Sequence, residues 1–177
     1  KSGEIWSGVL NPKGSGSEGK PIIIDKYGGD VKPRFIGEEN APHVLYLYNE
    51  EYWEINNLDI SANYTSSLER RAVRIKAEDK GVVNHIYLNG LDIHDVQINL
   101  KYPNSNAYKT SGGIFVEITG NSVPTKYDDL VIENCTIQNV DWTGIQLLWS
   151  SWSNRGGANT GSGRWYPSTN VVVKNNL

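Results

Sequence analysis

The chain has 177 residues, 38% hydrophobic and 10% aromatic, with 18 Gly, 6 Trp, 10 Tyr and no Met. That length suits one globular unit, and no apolar run is long enough to cross a membrane as a helix. Lys and Arg number 17 against 20 Asp and Glu, giving a net charge of -3 with both signs mixed throughout; neither nucleic acid nor an anionic membrane is indicated as a partner.

Residues 1–42 read as lead-in strands and a first turn. GEIWSGVLNPKGSGSEGKPIIIDKYG places a strand before a Gly/Ser loop and a Pro-Ile-Ile-Ile strand after it. The loop Gly14 to Gly19 lacks the Lys-Ser/Thr and the helix of a phosphate-binding P-loop, which leaves a turn. Residues 43–177 then carry about four rungs built from three kinds of strand. The first kind is HVLYLYN from His43, RAVRIKA from Arg71, GGIFVEI from Gly112 and TGIQLLW from Thr143. Alternation turns Leu45/Leu47, Val73/Ile75, Ile114/Val116 and Ile145/Leu147 inward.

Between these strands recurs one phrase: a strand, a two-residue polar corner usually holding Asn, and a second strand. It reads WEI-NN-LDIS from Trp53, IYL-NG-LDIH from Ile86, LVI-EN-CTIQ from Leu130 and VVV-KN-NL from Val171, the copies 33, 44 and 41 residues apart. Such uneven spacing fits a coil of strands with loops of varying length rather than a helical-repeat array. The apolar phase slips across the corner, so the chain must bend there to keep Ile55, Leu88, Ile132 and Val173 inside together with Leu58/Ile60, Leu91/Ile93 and Cys135/Ile137. Asn57, Gly90, Asn134 and Asn175 share one column. Asn tolerates left-handed backbone, and asparagines stacked at about 4.8 Å per rung are placed to bond along the axis. Cys135 is alone in the chain and falls at an inward position, which predicts a buried free thiol.

These strands, from about Pro21 to Leu177, resemble the right-handed parallel β-helix of pectate lyases and related glycan-processing enzymes. The fold expected is all-β, a solenoid with three strands per rung. Its handedness comes from the resemblance and from the general preference of parallel crossovers. The chain starts without an initiator Met and Leu177 falls within a corner-following strand, so residues 1–177 are expected to be one segment truncated at both ends, with further rungs outside it. The resemblance implies a bacterial protein located outside the cell or on its surface. The Asn63-Tyr64-Thr65 and Asn134-Cys135-Thr136 sequons agree with secretion.

In the families resembled, substrate lies over the outer face of the first strand class. Alternation supplies two outward columns there: Tyr46, Arg74, Phe115 and Gln146, then Tyr48, Lys76, Glu117 and Leu148. Such a face suits stacking on sugar rings and bonding their hydroxyls, with Tyr46, Arg74 and Phe115 as candidate contacts. Glu117 and Asp141 are the candidate catalytic carboxylates, and Asp95 beside His94 is a further acid near Asp141. Lys76, one rung from Glu117, is expected to ion-pair with it, which argues against its serving as a base. The insertion SSWSNRGGANTGSGRWYPSTN carries Trp152, Arg155, Arg164 and Trp165 among four glycines, a loop suited to glycan contact.

No carboxylate cluster of a calcium lyase and no zinc spacing of His43, His85 and His94 is present, so no cofactor is expected, calcium entering only if the chain belongs to a lyase. The first reading is a secreted glycoside hydrolase acting on a polysaccharide or complex glycan through a carboxylate pair partly supplied from outside the segment, which by itself is then expected to be inactive. A polysaccharide lyase and a non-catalytic glycan-binding or adhesion β-helix remain the alternatives.

Overall fold

The computed structural model describes residues 1–66, 69–98, 109–120, 122–149 and 166–177. Along them run strands β1 (Ile5–Ser7), β2 (Ile22–Ile24), β3 (Arg34–Ile36), β4 (His43–Tyr48), β5 (Trp53–Asn56), β6 (Asp59–Ser66), β7 (Arg71–Glu78), β8 (Val82–Asn89), β9 (Asp92–Ile98), β10 (Gly112–Thr119), β11 (Lys126–Glu133), β12 (Thr136–Val140), β13 (Thr143–Trp149) and β14 (Thr169–Lys174). No α-helix occurs among the described residues. The strands form three sheets: a first of β2-β5-β8-β11-β14, a second of β1-β3-β6-β9-β12 and a third of β4-β7-β10-β13. All neighbours pair in parallel. From β2 onward the chain visits first, second and third sheet in turn, so each circuit adds one strand to every sheet. This is the three-strand rung of a parallel β-helix, with the repeated phrase building the first and second sheets and the HVLYLYN class the third.

Register follows the apolar pattern. Leu45, Val73, Ile114 and Ile145 stand side by side in the third sheet, as do Leu47, Ile75, Val116 and Leu147. Ile55, Leu88 and Ile132 before the corner and Leu58, Leu91 and Cys135 after it are buried in the same core. The Cys135 thiol is free and burial pushes its pKa up, as its inward position predicts.

The corner column is left-handed throughout, with φ of 53° at Asn57, 64° at Gly90, 55° at Asn134 and 55° at Asn175. Its amides link the rungs: Asn57 N–H donates to Asn89 O at 3.1 Å, Gly90 to Glu133 O at 3.0 Å and Asn134 to Lys174 O at 3.3 Å. The side chains do not form the expected ladder within that column. Gly90 interrupts it, and Asn134 Nδ2 donates instead to Asn89 Oδ1 at 2.8 Å while Asn57 Nδ2 donates to Asp25 Oδ1 at 2.8 Å.

Two features of the third sheet escape simple alternation. Leu10 bridges β4 from below, its N–H donating to Val44 O at 2.7 Å and its carbonyl accepting from Tyr46 N–H at 2.9 Å, so the lead-in already shields that edge. In β4 and β7 the first residue is followed by two consecutive buried apolar residues, Val44/Leu45 and Ala72/Val73. The parity slips there, and His43, Arg71, Gly112 and Thr143, which share one register level, precede it on the outer face. At that level β10 and β13 approach so closely that a Cβ on Gly112, whose φ is +140°, would lie 2.1 Å from Thr143 O. Backbone cannot yield without parting the strands. Gly112→Ala is therefore expected to cost about 1–3 kcal/mol, read as a lower urea midpoint with an unchanged slope.

Candidate functional site

The outer face of the third sheet carries the expected columns in register. Tyr46 lies beside Arg74, Arg74 beside Phe115 and Phe115 beside Gln146; Tyr48, Lys76, Glu117 and Leu148 form the next row. Glu117 sits at its centre and is only 3% exposed. Arg74 donates to Glu117 Oε2 at 2.8 Å from Nη2, and Arg71 Nη2 approaches Oε1 at 3.4 Å. Arg71 also pairs with Glu69 at 3.0 Å. Burial works against ionisation of Glu69, but the bond from Arg71 and its charge prevail and hold that carboxyl below its ordinary pKa.

The aromatic side chains divide into two environments. The Tyr46 ring is half-buried, 4.2 Å from the His43 ring, with the Arg74 guanidinium 5.4 Å from its centroid. Burial and then the neighbouring Arg74 and Arg71 lower the His43 pKa to about 4, so this imidazole is neutral near pH 7. Phe115 differs from the expectation of an open sugar platform. It projects outward but is 0% exposed, with the Arg71 guanidinium 5.2 Å from its ring centroid.

Further sequence expectations need correction. Lys76 and Glu117 are register partners, yet Lys76 pairs with Glu78 at 3.0 Å and Glu117 with the two arginines. Glu78 also accepts the Tyr48 hydroxyl at 2.8 Å. Asp141 precedes β13 and its Oδ2 accepts the Ile98 N–H at 2.7 Å, closing the end of β9. Since Gly112 is level with Thr143 and Glu117 with Leu148, the Glu117 and Asp141 backbones are separated by about 17 Å along the strands. The structure does not join them as a carboxylate pair. Asp95 belongs to the outer face of the second sheet, where bonds from His94 and Asn139 hold its pKa low; His94 Nε2 reaches Asp59 at 2.9 Å. Trp152, Arg155, Arg164 and Trp165 lie outside the described residues.

A second constellation, on the first sheet, was not foreseen. The residue immediately before each phrase, Tyr52, His85, Asp129 and Asn170, is left-handed, with φ of 57°, 52°, 63° and 53°. This kink turns side chains into a cavity of about 460 Å³ lined also by Glu18, Glu54, Asn84 and Asp128. His85 bridges two carboxylates there, Nδ1 to Asp129 at 2.8 Å and Nε2 to Glu54 at 2.9 Å, and Tyr87 donates to the other Asp129 oxygen at 2.8 Å. Only the fixed offset from the phrase signalled this column, because its four residues share no chemistry.

Burial lowers the His85 pKa, but hydrogen bonds with Glu54 and Asp129 outweigh it and raise the value above 6.5. A raised folded-state pKa gives stability that is full below the unfolded value and is lost as pH rises through the folded value. The melting temperature is therefore expected to fall as pH rises from about 6.5 through the raised folded-state value, with a smaller fall in His85→Gln. Equal pH dependence in both proteins would show that the bridge contributes nothing.

Three parallel sheets wound as one coil with a polar, aromatic outer face define a parallel β-helix. No family profile matches the chain. It is 30% identical, over a 223-residue alignment covering 95% of its length, to a lacto-N-biosidase from Bifidobacterium longum subsp. longum. Its fold is similar to that of a GH136 lacto-N-biosidase from Eubacterium ramulus, with a TM-score of 0.79 at 22% identity over 99% of this chain for the selenomethionine derivative. The native form gives 0.76 at 21% identity over 99% of the chain. The chain spans 14% of the Bifidobacterium relative and 34% of the solved one.

Proposed function

We propose that this chain is part of a glycoside hydrolase of the lacto-N-biosidase kind, acting on a complex glycan outside the cell or at its surface. The observation that carries the reading is the 30% identity to a lacto-N-biosidase along 95% of the chain. The outer face of the third sheet supports it with Tyr46 beside Arg74, and Tyr48 beside Lys76, an arrangement suited to sugar rings. It also favours hydrolysis over elimination. Arg71 and Arg74, the cations a lyase would turn toward a uronate, are already paired with Glu69 and Glu117. Both Glu117 oxygens face guanidinium groups, so Glu117 serves as an anchor and the catalytic carboxylate pair is supplied from elsewhere in the complete protein. Trp152 and Trp165 are proposed as further sugar contacts on their Gly-rich loop.

Product analysis on a glycan panel, using the complete protein, tests this. Saturated reducing-end products are expected; unsaturated products absorbing in the ultraviolet would indicate a lyase, and retention without cleavage a binding protein.

A further inference from the structure

The first sheet carries its cavity of about 460 Å³ on a different side of the coil from the third sheet's columns. That volume falls within the range of about 300–1,000 Å³ usual for small-molecule sites. Its walls come from successive rungs: Tyr52 and Glu54 at the start of β5, Asn84 and His85 in β8, Asp128 and Asp129 in β11. All six side chains are half-buried, so each is steadied by its neighbours and still open to a ligand arriving from solvent. The left-handed column from Tyr52 through His85 and Asp129 to Asn170 crosses three rung spacings, about 14 Å along the axis.

We propose that this cavity is a second glycan-binding site, separate from the third sheet, that takes an uncharged, hydroxyl-bearing sugar against Tyr52, Glu54 and Asp129. Charge and hydrogen bonding select that class. Glu18, Glu54, Asp128 and Asp129 line the cavity and, among the described residues, no Lys or Arg does, so a uronate or a phosphate meets repulsion there. His85 offers such an anion little, since both its ring nitrogens are taken, by Asp129 at 2.8 Å and Glu54 at 2.9 Å. The same bridge fixes the two carboxylates in place, and Tyr87 donates to the second Asp129 oxygen. Asp128 accepts from Asn170 at 2.8 Å and has the Lys126 ammonium 3.9 Å away. A cation must compete with these donors for oxygens already engaged, whereas a sugar hydroxyl needs only a lone pair that they leave over. Tyr52 adds a hydroxyl that donates or accepts and a ring face of the kind on which sugars stack. The choice of a glycan as ligand rests on the glycoside-hydrolase reading above; the choice of site rests on the cavity.

Photoaffinity labelling of the complete protein tests the site, with lacto-N-biose carrying a diazirine at its reducing end as the probe and mass spectrometry to map the label. Label is expected on the peptides that hold Tyr52 and His85, and an excess of unmodified lacto-N-biose is expected to remove it. Tyr52→Gly deletes the ring at a position whose φ of 57° glycine adopts readily. It is expected to lower that label by about two- to tenfold, while hydrolysis of a short soluble glycan stays at the parent's rate. Should Tyr52→Gly fail to fold, Glu54→Gln decides, since it keeps the shape of the wall and is expected to lower the label likewise. Label confined to other peptides, or undiminished in the variants, overturns the site. Spermidine displacing the label more strongly than lacto-N-biose overturns the ligand class. A parent that cleaves neutral glycans but takes no label at the cavity would sink the site and leave the function standing. A parent that neither cleaves nor binds a neutral glycan would overturn both.

Discussion

Ile93→Asp is expected to abolish folding. Ile93 is 0% exposed in β9, in register with Ile60 on one side and Ile137 on the other. A carboxylate there has no cation or donor within the apolar stack, so it must be buried charged or be protonated at a cost, or the rungs must part. The loss is expected to exceed about 4 kcal/mol, a large share of the stability of a domain this size. In a solenoid it also weakens both interfaces that the rung makes with its neighbours. Ile137→Asp should be milder, since Ile137 is only partly buried at the edge of the same stack. Circular dichroism and urea titration check the pair: the Ile93 variant should show no cooperative transition, and the Ile137 variant one at a lower midpoint. A well-folded Ile93→Asp protein would mean that the second sheet presents its other face to the core.

Why the fold was readable and much of the outer face was not comes down to what each feature leaves in the sequence. A left-handed corner restricts residue type at a fixed offset, so Asn57, Gly90, Asn134 and Asn175 marked both the bend and the winding of three strands per rung. Alternation likewise placed Tyr46 beside Arg74 and Lys76 beside Glu117. Arg71 and His43 were hidden by the pairs Val44/Leu45 and Ala72/Val73, where two adjacent residues face inward and parity no longer tells inside from outside. Partner choice escaped for another reason. Register names the neighbour, but a guanidinium on a long side chain reaches diagonally, so Arg71 and Arg74 take Glu117 while Lys76 turns to Glu78. Burial of Phe115 was equally invisible, because alternation gives the side of the sheet a residue takes and not what lies over it, here the Arg71 guanidinium among its neighbours.

Glu117→Ala is expected to destabilise the protein by about 3–5 kcal/mol, as removal of one member of a buried ion pair leaves its partner's charge uncompensated. The Glu117 side chain is 4% exposed, Arg71 2% and Arg74 18%, so solvent cannot take over the lost role. Arg71 retains Glu69. Arg74 keeps the Tyr46 ring, which offers a weaker contact than a carboxylate. Glu117→Gln preserves the shape and one acceptor oxygen while losing the charge, and a smaller loss of about 1–3 kcal/mol is expected for it. An exposed groove acid would behave differently, with both variants within about 0.5 kcal/mol of the parent. Urea midpoints for the two variants, with the double change Glu117→Ala and Arg74→Ala to measure the coupling, separate these outcomes. If Glu117 anchors the arginines, the double variant recovers part of the stability lost in Glu117→Ala, because no unpaired guanidinium then remains at that position.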